Sequence, residues 1–134
     1  MALLGEYFAL SARAAVNLKD EQYHLMRSTT WQTNAPALVD IASNAAATAV
    51  LGVWGVLMNN PDSGQAATVA WQGEVKVVAG AAITAGVLIT NDSSGRAVAA
   101  VSGDLVIGRA WEAAGAGGET IRALIGQPYP LLRT

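Results

Sequence analysis

The run NNPDSGQAATVAWQGEVKVV, residues 59–78, has the grammar of a sheet rather than a helix. Asn, Pro, Asp, Ser and Gly crowd its first six positions, a concentrated turn signal. Ala67 to Trp71 then reads as a strand, Gln72-Gly73 as a tight reversal, and Glu74 to Val78 as a second strand. Alternation places Val75 and Val77 on one side of that second strand and Glu74 and Lys76 on the other.

The same rhythm continues towards the C-terminus. GAAITAG, residues 80–86, is a connection, and Val87 to Thr90 and Arg96 to Val101 flank the hairpin loop NDSSG. Ser102-Gly103-Asp104 is another break. Leu105 to Glu112 reads as one longer strand, with Leu105, Ile107 and Trp111 on one face and Arg109 among them. A charge there snorkels, pairs with an acid, or belongs to an interface. AGAGG leads into a final strand from Glu119 to Ile125.

Towards the N-terminus, LGVWGVLM, residues 51–58, is rich in β-branched and aromatic residues and predicts a strand. Leu38 to Ala42 predicts another, and STTWQTNAPA, residues 28–37, a loop. Asn17 can cap a short helical turn at Leu18 to Gln22, followed by an extended Tyr23 to Arg27. The alternative there is one amphipathic helix from Ala12 to Met26. GEYFALS, residues 5–11, is strand-like. Strands near six residues long, separated by Gly or Asp turns, predict an all-β, single-domain barrel or sandwich with short helical turns and extended terminal arms. The expected division is an N-terminal arm over 1–12, a β-rich domain over 13–126 and a tail over 127–134.

Composition narrows the function. The 134 residues suit one domain and a core that needs no staple, and the chain lacks cysteine. Charged residues make up 13% and hydrophobic ones 52%, which argues against disorder. The apolar surplus suggests burial against partner subunits, although alanine inflates the count. Net charge is −2 and the basic residues are scattered, so nucleic acid is a poor partner. No secretory signal is visible, and the apolar run Ala45 to Met58 is too short to cross a bilayer.

Chemistry is sparse. The lone His24 offers no imidazole cluster for a metal and reads as structural or surface. No G-x-S-x-G or phosphate-loop pattern exists, and Asp62, Asp92 and Asp104 sit in no calcium-loop spacing. The expectation is a non-enzymatic protein with no cofactor, no metal and no small-molecule substrate. Trp54, Trp71 and Trp111 are expected in the core. Trp31, in a polar loop, is an interface candidate, as are Arg109 and the tail residues Tyr129, Leu131 and Leu132 in QPYPLLRT.

GVWGVLMNNPDSGQAATVAWQGEVKVVAGAAITAGVLIT and GRAVAAVSGDLVIGRAWEAAGAGGETIRALI, within Leu51 to Ile125, resemble the tailed-phage capsid decoration, or capsid cement, proteins. NLKDEQYHLMR resembles their opening segment. The resemblance implies a virion protein on the outer surface of an icosahedral head, made in the host cytoplasm. Its partner would be the major capsid protein, and it would form a homo-oligomer, a trimer first. An extended N-terminal strand can add to a sheet edge, so Glu6, Tyr7, Phe8 and Leu10 are capsid-binding arm candidates. Alternatives are another phage head or tail accessory protein, or a small binding module related to biotinyl or lipoyl barrels. The second lacks a modifiable lysine at a hairpin tip, since Lys76 falls within a strand.

Overall fold

The structure, a computed structural model, describes residues 7–30, 37–42, 53–126 and 131–132. Among the described residues eleven strands form in chain order: β1 (Tyr7–Ala14), β2 (Leu25–Thr30), β3 (Leu38–Ile41), β4 (Val53–Leu57), β5 (Ala66–Val78), β6 (Leu88–Asn91), β7 (Ala97–Ala99), β8 (Leu105–Val106), β9 (Gly108–Ala110), β10 (Thr120–Ile125) and β11 (Leu131–Leu132). The fold is all-β, and no helix occurs among the described residues.

Nine strands make one mixed sheet in the order β1-β3-β2-β4-β5-β10-β9-β6-β7, with β1 also pairing β5. That extra pairing closes β1, β3, β2, β4 and β5 into a ring, which leaves few free edges. The other half of the sheet also turns back on itself, through a parallel bridge between Ala79 and Ala97. Strand β5 belongs to both halves. Its first part pairs β1 and β4, and its last six residues pair β10.

This sharing corrects the expected reversal at Gln72-Gly73. Gly73 does adopt a left-handed φ of 120°, as a turn glycine would. Instead of reversing, the chain continues as a 13-residue strand, with Gly73 opposite Tyr7 on one edge and Ile125 on the other. The glycine marks where the strand changes partners.

Two clusters fill the interior. One contains Ala12, Ala14, Leu18, Met26, Val39, Leu57, Ala67 and Val69. The other includes Leu25, Val56, Ala70, Val75, Val77, Ile89, Ile121 and Ile125. Consecutive residues on three strands therefore enter different cores: Leu25 and Met26, Val56 and Leu57, Val69 and Ala70. Side chains alternate across a strand, so two neighbours can both be buried only where both faces are covered. Nearly half of the buried apolar residues described are alanines, so strands pack closely over small side chains. Gly55 and Gly108 take this further, since an added Cβ would meet the carbonyl groups of Ala70 and Leu124.

Other expectations need correction. The stretch Ala12 to Met26 is neither one helix nor a helical turn: Ala12–Ala14 completes β1, and residues after Leu18 form successive turns. Asn17 Oδ1 accepts the Lys19 N–H at 3.0 Å, so the expected cap closes a local turn. Leu18 is then pulled into the core, and its N–H donates to the Pro61 carbonyl. The expected loop at 28–37 begins later, because Ser28–Thr30 complete β2 against β3. The expected strand from Leu105 to Glu112 is split at Ile107, whose N–H donates to Ile89.

Trp71 and Trp111 are exposed, not core residues. The space opposite β5 and β9 is occupied by Val, Ile and Ala side chains instead. The side chain of Trp54 lies outside the described residues.

Candidate interaction surfaces

The pairing of β1 with β5 builds an apolar face. The register shifts between Phe8 and Ala9, where Phe8 opposes Gln72 and Ala9 opposes Ala70. Trp71 is the residue passed over, and bulges of this kind re-aim side chains. Its ring lies 5.9 Å from that of Phe8, tilted by 31°. Ala12 and Ala14 point into the ring of strands, whereas Tyr7, Phe8 and Leu10 are exposed, Phe8 by 64%. By alternation Phe8 and Leu10 share one surface, with a tryptophan that the sequence reading placed in the core, whereas Tyr7 lines a separate cleft. Glu6 lies outside the described residues. On its other edge, β1 pairs β3 only at Arg13 and Ala14, and no described residue pairs the edge of Tyr7–Ala12.

A second face surrounds Arg109. Its guanidinium donates to the Gly86 carbonyl at 2.6 Å. It borders a shallow cavity of about 420 Å³ lined also by Val87, Leu88, Ala99 and Ala100. Trp111 and Val101 are exposed, by 53% and 64%. Of the tail candidates, Leu131 and Leu132 pair through their backbone with Val106 and Leu105 of the same chain. Tyr129 and Trp31 lie outside the described residues.

A cleft of about 290 Å³ is a third feature, lined by Tyr7, Tyr23, Met58, Glu74, Val75, Lys76 and Arg122. Arg122 reaches Glu74 and Glu112, each at 3.3 Å. The Arg122 N–H, then its guanidinium, hold the Glu112 carboxyl below its ordinary value, and Lys76 adds a smaller pull. Lys76 Nζ stands 6.0 Å from the centre of the Tyr23 ring. Tyr23 has a φ of 68°, the one left-handed non-glycine conformation among the described residues. Its N–H donates to Leu57 and its carbonyl accepts from Val78. Nothing in the sequence signals this cleft: Tyr23, Lys76 and Arg122 are far apart in the chain, and left-handed tyrosines have no local signature.

His24 is buried. Its Nε2 lies 3.3 Å from Glu21 and its Nδ1 3.3 Å from the Gln22 carbonyl, so both ring nitrogens are engaged locally. No group of three metal-ligating side chains occurs among the described residues. What the described residues offer is surface: a face with a tilted aromatic pair, a shallow hollow beside Arg109 and a charged cleft.

A family model for phage cement proteins matches residues 25–125, which spans β2 to β10. The chain belongs to the phage cement protein family. It is thus a phage structural protein, associated with the virion capsid. The crystal structure of head fiber gp8.5 N base in bacteriophage phi29 is similar, with a TM-score of 0.63 at 24% identity. The likeness covers 90% of this chain and 95% of that one, and it shows a shared fold. No curated protein matches the sequence. The family match begins after β1, so the aromatic face is carried largely by residues outside the matched stretch.

Proposed function

We propose that this cement protein binds the outer surface of the phage head and stabilises the lattice of its major capsid protein, without enzymatic activity. The observation that carries the reading is the face made by Phe8, Leu10 and Trp71. Three large apolar side chains side by side in water cost free energy, and such patches mark protein-binding sites. Aromatic anchors of this kind dominate the energy of interfaces.

Stabilisation follows from linkage. A homotrimer, assembled in the host cytoplasm and bound at a symmetry axis, presents three such faces at once. Once one is engaged, the others act at high effective concentration, and release requires all three to part. The edge of Tyr7–Ala12, which no described residue pairs, supports an added strand contact beside the aromatic face.

Co-sedimentation with empty heads tests the reading. Removing residues 1–12 would open the ring, because Ala12 is buried against β5, so point substitutions are cleaner. The double variant Phe8→Ser/Trp71→Ser should remain folded and bind at least tenfold more weakly. Undiminished binding by the folded variant would remove this face from the capsid contact.

A second reading, the base of a head fiber, is supported by the fold shared with the phi29 protein. Electron microscopy of decorated heads distinguishes the two: fibers rising from the bound protein favour the base.

A further inference from the structure

The outer face of the second half of the sheet carries an arginine that no described acid pairs. Along β9, Gly108 and Ala110 are buried and Arg109 is exposed. Trp111 continues the alternation, so it shares the side of Arg109. In register, Arg109 lies between the half-buried Leu88 of β6 and Leu124 of β10. The next residue in that row, Glu74 of β5, stands two strands away, about 10 Å, and is held by Arg122. Glu112 is held by Arg122 as well. Arg109 donates through Nη1 to the Gly86 carbonyl, a neutral acceptor that orients the guanidinium without neutralising it. Its Nε and Nη2 groups form the other edge of the fork, which matches a carboxylate with two parallel bonds.

The hollow beside this edge supplies the rest of the chemistry. Its walls, Val87, Leu88, Ala99 and Ala100, are aliphatic, and its volume is about 420 Å³. Such a site fits a carboxylate flanked by an aliphatic side chain. The chain's own acids are poorly placed to provide one. The described acids other than Asp20 all have partners within the chain, in ion pairs or accepting backbone N–H groups. Glu6 precedes β1, whose Tyr7 pairs Gly73 on the edge of β5 opposite β10. Residues 31–36, 43–52 and 127–130 contain no acid. Strand β11 runs from Val106 towards Leu105, which leads the chain away from Arg109.

We infer that the shell protein presents an acidic side chain to Arg109 and sets an aliphatic neighbour of that residue into the hollow. This rests on the proposed function and names a second point of grip, on a different strand from the aromatic face of β1. Trp111 on the same side would shield the pair from water, and arginine and tryptophan are among the residues that most often dominate an interface.

The test uses the full chain and empty heads assembled from the shell protein of the same virus. Arg109→Gln removes the charge at an exposed site, and Ala99→Leu fills the hollow. Both should keep the wild-type circular dichroism, and each should co-sediment more weakly by about fivefold or more. In Arg109→Lys, a carbodiimide should join the introduced amine directly to a carboxylate of the shell protein, a position that peptide mass spectrometry reads. The native lysines are Lys19 and Lys76, so the added link is distinguishable from theirs.

If the wild type itself fails to bind heads, the proposed function and this inference fall together. If it binds and either folded variant binds as well as wild type, the inference alone is overturned. A cross-link from position 109 to an acid of its own chain, or to Asp20 of a second copy, also overturns it. So does the absence of any such link on heads that hold the Arg109→Lys variant.

Discussion

Glu112 shows how much one exposed carboxylate can be tuned by a single neighbour. It accepts the Arg122 N–H at 2.8 Å and faces the same residue's guanidinium. Both interactions favour the ionised form, so the folded-state value lies below the ordinary 4.5. A lowered carboxylate contributes stability above its unfolded value and loses it as pH falls through the folded one. Glu112→Gln should therefore reduce stability at neutral pH and flatten the loss of stability below about pH 4.5. Thermal melts of both proteins from neutral to acidic pH check this; parallel curves would show that the contact carries no linkage. Asp62 is lowered in the same direction by the Ser63 N–H and by Lys19. Residue types alone made these acids ordinary, because the partner that tunes Glu112 arrives on another strand. The same holds for Trp71, whose strand was legible but which is the extra residue where β5 shifts register against β1.

At the scale of elements, β5 carries the main lesson. Val75 and Val77 turn inward and Lys76 outward, as alternation predicts. The Gln72-Gly73 pair has the composition of a reversal, yet strands on both edges hold it extended. Whether a glycine turns the chain or bends it depends on partners that lie far away in sequence. Gly73→Ala should be destabilising, since a left-handed φ costs a non-glycine residue about 1–3 kcal/mol when the backbone cannot relax. Urea unfolding measures this directly, and an unchanged midpoint would mean that β5 does not need its glycine. Legibility was highest where turn chemistry is local. The loop expected at NDSSG lies between β6 and β7 except for Asn91, which ends β6, and Asp92 Oδ1 accepts the N–H groups of Ser94 and Arg96. It was lowest at Ala12 to Met26, where a helical pattern of alanines and charges is overridden by pairing at its two ends with β3, β4 and β5.

At the scale of the molecule, the two cores are not independent. The ring of five strands and the second half of the sheet share β5, and the pairs Leu25–Met26 and Val56–Leu57 place one residue in each core. Loosening either half exposes residues of the other, so unfolding should be a single cooperative event. Leu57→Ala in the ring and Ile89→Ala in the second core each remove a fully buried side chain, at a cost of about 2–5 kcal/mol. Both should lower the midpoint of the same urea transition. Probes in both halves should move together: Trp71 fluorescence reports where β5 meets β1, and far-ultraviolet circular dichroism reports the whole sheet. If the proposed face on β1 is the grip, force applied there would pass through β5 into both cores. Two separated transitions, with Leu57→Ala moving only the first and Ile89→Ala only the second, would show instead that β5 joins two independent units.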